Sequence, residues 1–117
     1  GGLYDSATVQ AWGGTHKGID VAMPEGTRLP ALVSGTVVSA GSEGGWGKTI
    51  VIRDERGALH RYSHLKSLAP LKPGDPVQRG RVIALSGNTG NSTGAHLDYR
   101  IKVGGNYVDP LKYSLRS

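Results

Sequence analysis

His96-Leu97-Asp98-Tyr99-Arg100-Ile101-Lys102-Val103 alternates residue by residue between polar and apolar side chains. A period of two is that of a β-strand, in which successive side chains point to opposite faces of a sheet. Leu97, Tyr99 and Ile101 therefore face a core, while His96, Asp98 and Arg100 look into a cleft on the other side. Further runs of this kind, most of them bounded by turn residues, lie at about Leu29 to Val33, Gly35 to Ala40, Lys48 to Asp54, Leu59 to Leu65, Val82 to Ser86 and Tyr107 to Val108. Lys72-Pro73-Gly74-Asp75 reads as a tight turn, because proline presets one central φ and glycine tolerates a positive value at the next. Gly41 to Gly47 and Gly87 to Gly94 read as loops, and no segment supports a helix longer than a turn or two. The expected fold class is all-β, mainly an antiparallel sheet with side loops.

Composition agrees and narrows the chemistry. A chain of 117 residues is expected to form a single domain, 1–117. Nineteen glycines, six prolines and no phenylalanine suit short strands joined by tight turns. The absence of cysteine excludes disulfides, thiolate ligands and thiol catalysis. A net charge of +5 favours an anionic partner, whether nucleic acid, an acidic membrane surface or a cell-wall polymer. The lysines and arginines are scattered, however, without the runs and interleaved aromatics that read nucleic acid, so no nucleic-acid partner is expected. No stretch is apolar enough to insert in a membrane. The chain opens on Gly1-Gly2 without an initiator methionine, which reads as a monomeric domain processed or excised from a larger protein whose targeting information lies elsewhere.

The four histidines are the most informative polar residues. Histidine is the commonest metal ligand and the side chain best suited to moving protons near neutral pH. His16 stands four residues before Asp20 in Thr-His-Lys-Gly-Ile-Asp. The surrounding glycines and β-branched residues argue against a helix there, and an extended strand would hold the pair about 13 Å apart, too far for bonds of about 2 Å to one ion. The chain must bend between them, and Gly18 is where it can. His60, Tyr62 and His64 share a face by alternation; His60 reads as an exposed strand residue, and Tyr62 as either a cleft or a core residue. Trp12 and Trp46, both in glycine-rich loops, are candidates for a substrate wall or a cover over the core.

Taken in order along the chain, the motifs form a series. His16-Lys-Gly-Ile-Asp20, Gly26-Thr-Arg-Leu-Pro-Ala31, Gly35-Thr-Val37, Tyr62-Ser-His-Leu65, the glycine-rich run from Val77 to Gly94, and His96-Leu-Asp98 follow one another over about residues 14–110. In this the chain resembles the lysostaphin/LytM-type zinc metallopeptidases, which cut the peptide bridges of bacterial peptidoglycan. The resemblance implies a LytM-like metallopeptidase fold. It implies that His16 and Asp20 are zinc ligands, and that His64 and His96 handle protons and the developing oxyanion. It implies a peptidoglycan peptide as substrate, and work outside the cell, in the cell envelope or on a virion.

One position departs from that pattern. The family's third ligand is the second histidine of H-x-H, and Asp98 stands there. Aspartate also ligates zinc, so the expected set is His16, Asp20 and Asp98 around one Zn2+ ion. Two carboxylates make the set harder and more negative, which opens it to Mn2+ and leaves a bound water more basic. The alternative is a domain of the same fold that has lost its chemistry and serves as a peptidoglycan-binding, regulatory or structural part. A serine hydrolase is a poor rival, since the chain has no G-x-S-x-G elbow.

Overall fold

The computed structural model describes residues 9–11, 19–87, 96–110 and 113. Within them the chain forms an almost wholly antiparallel sheet: β1 Val9–Ala11, β2 Ile19–Ala22, β3 Arg28–Pro30, β4 Gly35–Ser42, β5 Lys48–Asp54, β6 Leu59–Leu68, β7 Pro76–Val77, β8 Val82–Ser86, β9 His96–Val103 and β10 Asn106–Val108. The main order is β1-β2-β9-β6-β5-β4-β7, with β10 on the end of β9, and β8 joining β3 to β6. The one helical element among the described residues is a 3-10 turn at Gly44–Trp46.

The expected strands at β5, β8 and β9 have the bounds read from the sequence. The strand expected to reach Val33 stops at Pro30, whose missing N–H interrupts the ladder where the register shifts. The strand expected to end at Leu65 runs on to Leu68 because β6 changes neighbours. It pairs with β9 from Leu59 to Ser63 and with β8 from Leu65 to Leu68. The turn at Lys72 to Asp75 forms as read: Asp75 N–H donates to Lys72 O at 3.0 Å, and Gly74 holds φ 94°.

Alternation correctly sends Leu97, Tyr99 and Ile101 into the core, where they pack with Leu29, Val37, Ile50, Ile52, Tyr62 and Ile83. The segment after β3 lies across this face, and Leu32 N–H donates to the Tyr62 hydroxyl at 3.2 Å. Tyr62 is thus a core residue. Burial raises its hydroxyl's pKa, partly offset by that bond, and keeps it neutral.

His60 corrects the sequence reading: it is 0% exposed rather than a surface residue. Its Nε2 lies 2.8 Å from Asp54 Oδ2 and its Nδ1 lies 2.7 Å from the Tyr99 hydroxyl. Burial pushes the imidazole below 6.5 despite the opposing pull of Asp54, so it is neutral, donating through Nε2 and accepting from Tyr99. For Asp54, burial alone would raise the pKa. Hydrogen bonds from Tyr113, His60, and the backbone N–H groups of Ala58 and Arg56 outweigh it and hold the carboxyl below 3.8. The same site lifts Tyr113 to about 12, through burial first and its bond to Asp54 second.

This network sets an acid limit on stability. Below pH 6.5 the unfolded chain protonates His60 while the folded chain resists, so stability is lost as pH falls through that value. Asp54 contributes stability that is present above 3.8 and lost as pH falls through its depressed folded value. The midpoint of thermal unfolding is expected to drop steadily from pH 6.5 downward. In His60→Gln the slope between about pH 6.5 and pH 5 should flatten, whatever the absolute stability of the variant; an unchanged slope would remove His60 as its source.

Candidate functional site

The polar face of β9 is the floor of the site. Asp98 is 0% exposed and Arg100 9%, so charged groups here are buried almost as deeply as the apolar ones opposite. The β6 ladder puts Ser63 beside Asp98 and Arg61 beside Arg100. The β2 ladder puts Asp20 at the same position as Asp98 from the other side, and Ala22 beside His96. A strand at residues 19–22 was not read from the sequence. It is what brings Asp20 to Asp98 despite their separation along the chain.

His64 required a break in regularity. By alternation it shares a face with His60 and Tyr62, and the structure shows that face to be the core one. The structure instead inserts an extra residue into β6: Ile50 pairs with Tyr62 and Lys48 with Leu65, so two steps on β5 oppose three on β6. At this bulge His64 holds φ 61°, the one positive φ at a non-glycine position among the described residues. It is also the residue between the β9-paired and β8-paired parts of β6. A left-handed backbone at a non-glycine residue costs about 1–2 kcal/mol and persists only where the surroundings enforce it. Its effect here is to turn the ring off the core face and beside His96, with ring centroids 5.1 Å apart. The His64 side of the pair is closed in, at 4% exposed.

His96 is fixed from below by its bridge to Gly87. A Cβ at Gly87 would meet Lys66 N at 2.4 Å, so this close approach of β6, β8 and β9 admits only glycine. Trp46, carried by the 3-10 turn, forms the adjoining wall. Its ring lies 6.4 Å from that of His64 and 4.6 Å and 5.3 Å from the guanidinium carbons of Arg100 and Arg61. Arg61 is also tied to Glu43 at 2.7 Å. The reading of Trp46 as a wall of the cleft agrees with this place, whereas Trp12 and His16 lie outside the described residues.

Of the expected site residues, the structure gathers His64, His96 and Asp98, and brings the backbone of Asp20 to the same ladder position. Among the described residues no three histidine, aspartate or glutamate side chains form a group able to hold an ion. The donor set itself suits a divalent cation. A buried carboxylate such as Asp98 is an oxygen donor of the kind that divalent cations take. Asp98 retains coordinating capacity although both its oxygens accept from Arg100, because an ionised carboxylate offers about four lone-pair sites and the guanidinium takes two. Spacing by two on one strand puts Asp98 and Arg100 on the same face, but only the structure shows them paired.

The sequence profile of peptidase family M23 matches residues 14–110. The chain belongs to peptidase family M23. This M23 chain is 39% identical over 100 residues to the peptidoglycan DD-endopeptidase ShyA of Vibrio cholerae serotype O1, a match covering 86% of the chain and 23% of the relative. It therefore spans less than a quarter of that curated relative's length. The catalytic domain of the antimicrobial peptidase lysostaphin from Staphylococcus simulans superposes with a TM-score of 0.76 at 35% identity, over 85% of this chain and 78% of that one. A zinc-containing peptidase from Vibrio cholerae superposes with a TM-score of 0.78 at 34% identity, over 85% and 30% of the two chains. The lysostaphin-type fold expected from the motifs is thereby established.

The strained backbone at His64 generates a stability test. Glycine adopts φ near 60° without steric cost, whereas alanine does not. His64→Gly is expected to be more stable than His64→Ala by about 1 kcal/mol, the reverse of the usual order within a strand. Chemical denaturation of the two variants checks it; a more stable alanine variant would mean that His64 is not held in this conformation.

Proposed function

We propose that this domain is a metal-dependent endopeptidase that hydrolyses peptide bonds in the cross-bridges or stem peptides of bacterial peptidoglycan. The observation that carries the proposal is the bulged, positive-φ backbone at His64, which spends stability to set one histidine ring beside another next to a buried carboxylate. Nothing in packing requires that departure, since an unbroken strand would leave the residue in the core. Strain of this kind concentrates where geometry serves chemistry.

In this reading His16, Asp20 and Asp98 hold one divalent ion, zinc by the precedent of the relatives, with manganese acceptable to so oxygen-rich a set. Such an ion supplies Lewis acidity, making a water a better nucleophile and polarising the scissile carbonyl. His64 and His96 divide two tasks on the open side: one ring accepts the proton of the attacking water, and the other donates a hydrogen bond to the oxygen that gains negative charge. Their fixed spacing prepays the ordering of both groups. Ser63 keeps the floor rigid, accepting from Thr49 Oγ1 at 3.3 Å, and Trp46 offers an apolar wall to a peptide backbone. The substrate places the work of the domain at the cell envelope, outside the cell, or on a virion that must breach the wall, and the domain acts as a monomeric part of a longer protein.

A second reading has one observation in its favour. Asp98 is already paired with Arg100, as it would be in a domain that binds peptidoglycan without an ion. Metal content separates the two.

Two groups of variants are expected to behave differently. His64→Ala and His96→Ala should each lose two or more orders of magnitude in turnover while retaining the ion, as roughly expected for loss of a proton-handling or oxyanion-stabilising group. His16→Ala and Asp20→Ala should lose the ion itself, and with it the thermal stabilisation that binding confers. Elemental analysis after dialysis, together with mass analysis of fragments from purified cell walls of two cross-bridge chemistries, checks both. A wild-type protein without stoichiometric metal and without wall fragments would establish the binding-domain reading instead.

A further inference from the structure

The ion pair on the floor of the site is built into the fold. Arg100 Nε donates to Asp98 Oδ1 at 3.0 Å and its Nη2 to Oδ2 at 3.4 Å. The guanidinium carbon also lies 4.6 Å from the Trp46 ring centre and 5.6 Å from that of Tyr107, so aromatic faces hold the cation as well as the carboxylate does. Exposed pairs exchange freely with water and contribute little, but this one joins a fully buried carboxylate to a guanidinium that is almost as buried. Removing one partner of such a pair strands the other charge.

We propose that Arg100 is a resident counter-charge that converts Asp98 into a charge-neutral donor. The inference rests on the metal-site reading given above and deepens it. Asp98 and Arg100 together carry no net charge, as a neutral imidazole carries none. The set of His16, Asp20 and Asp98 with Arg100 therefore has the net charge of a site made of two histidines and one aspartate. This reverses the expectation, drawn from Asp98 alone, of a more negative centre. It also makes Arg100 and the ion competitors: each neutralises the Asp98 carboxylate, and the fixed positive charge repels the ion. A unit charge several Å from a divalent ion, even under the strong screening of a partly solvated site, is worth more than an order of magnitude in affinity. Arg100 is on this account a positioning residue that acts through Asp98.

Zinc titration calorimetry and thermal unfolding of the metal-free full chain test the proposal without reference to turnover. Arg100→Met, which keeps an apolar stem against Trp46 and removes the charge, is expected to bind zinc tenfold or more tightly than the wild type and to unfold at a lower temperature when metal-free. Arg100→Lys restores the charge and should return both quantities toward wild-type values. The double variant Asp98→Asn/Arg100→Met removes both charges; its metal-free unfolding temperature should recover above that of Arg100→Met, and its zinc affinity should fall below that of the wild type. Unchanged or weaker zinc binding in Arg100→Met overturns the proposal, as does a double variant no more stable than Arg100→Met. If none of the proteins binds zinc, the metal-site reading fails. The stability cycle then decides the counter-charge alone: recovery in the double variant upholds it and its absence overturns it.

Discussion

A central strand buried on both faces has to satisfy two demands at once, and in this chain β9 is that strand. Its apolar side closes the core through Leu97, Tyr99 and Ile101. Its other side carries Asp98 and Arg100 at a depth where unpaired charge is not tolerated. The pairing of Asp98 with Arg100 and the packing of Arg100 on Trp46 both answer that demand. The sheet thus builds a polar site by placing charge where desolvation would otherwise forbid it, then supplying a counter-charge two residues along the same strand and an aromatic cover from the 3-10 turn.

The second device is irregularity. A regular β6 would give either a core or a cleft along the whole strand, because alternation is strict. By inserting one residue at His64 and passing from β9 to β8 at the same place, β6 changes both the face it presents and the neighbour it serves. Bulges commonly re-aim a side chain next to a functional site, and the cost is borne by the rest of the ladder. Gly87 plays the complementary part, allowing three strands to converge where any side chain would collide with the Lys66 backbone.

These features divide what the sequence discloses from what it conceals. Strong alternation bounded by turns disclosed β5, β8 and β9, together with the side of β9 that meets the core. Short strands with little pattern, β2 and β7, gave too few residues for a period to be visible. Periodicity assigns a face and says nothing of depth, so sequence alone leaves His60 looking exposed although contacts with Asp54 and Tyr99 bury it. Parity along β6 failed at His64 because a bulge leaves no local mark beyond ordinary residues. Motif order carried the family and the candidates His16, Asp20, His64, His96 and Asp98. It did not carry the partnership of Asp98 with Arg100, which depends on both being enclosed.

The hydrogen bond from the Tyr113 hydroxyl to Asp54, at 2.6 Å, bears on where this folding unit can be said to stop. Asp54 and Ala58 bracket the hairpin between β5 and β6, and Arg56 from that hairpin lies over the Tyr113 ring at 4.3 Å. The similarity to the family ends at residue 110. A boundary drawn there for grafting or recombination would sever the clasp that closes the hairpin, so any such boundary belongs beyond Tyr113.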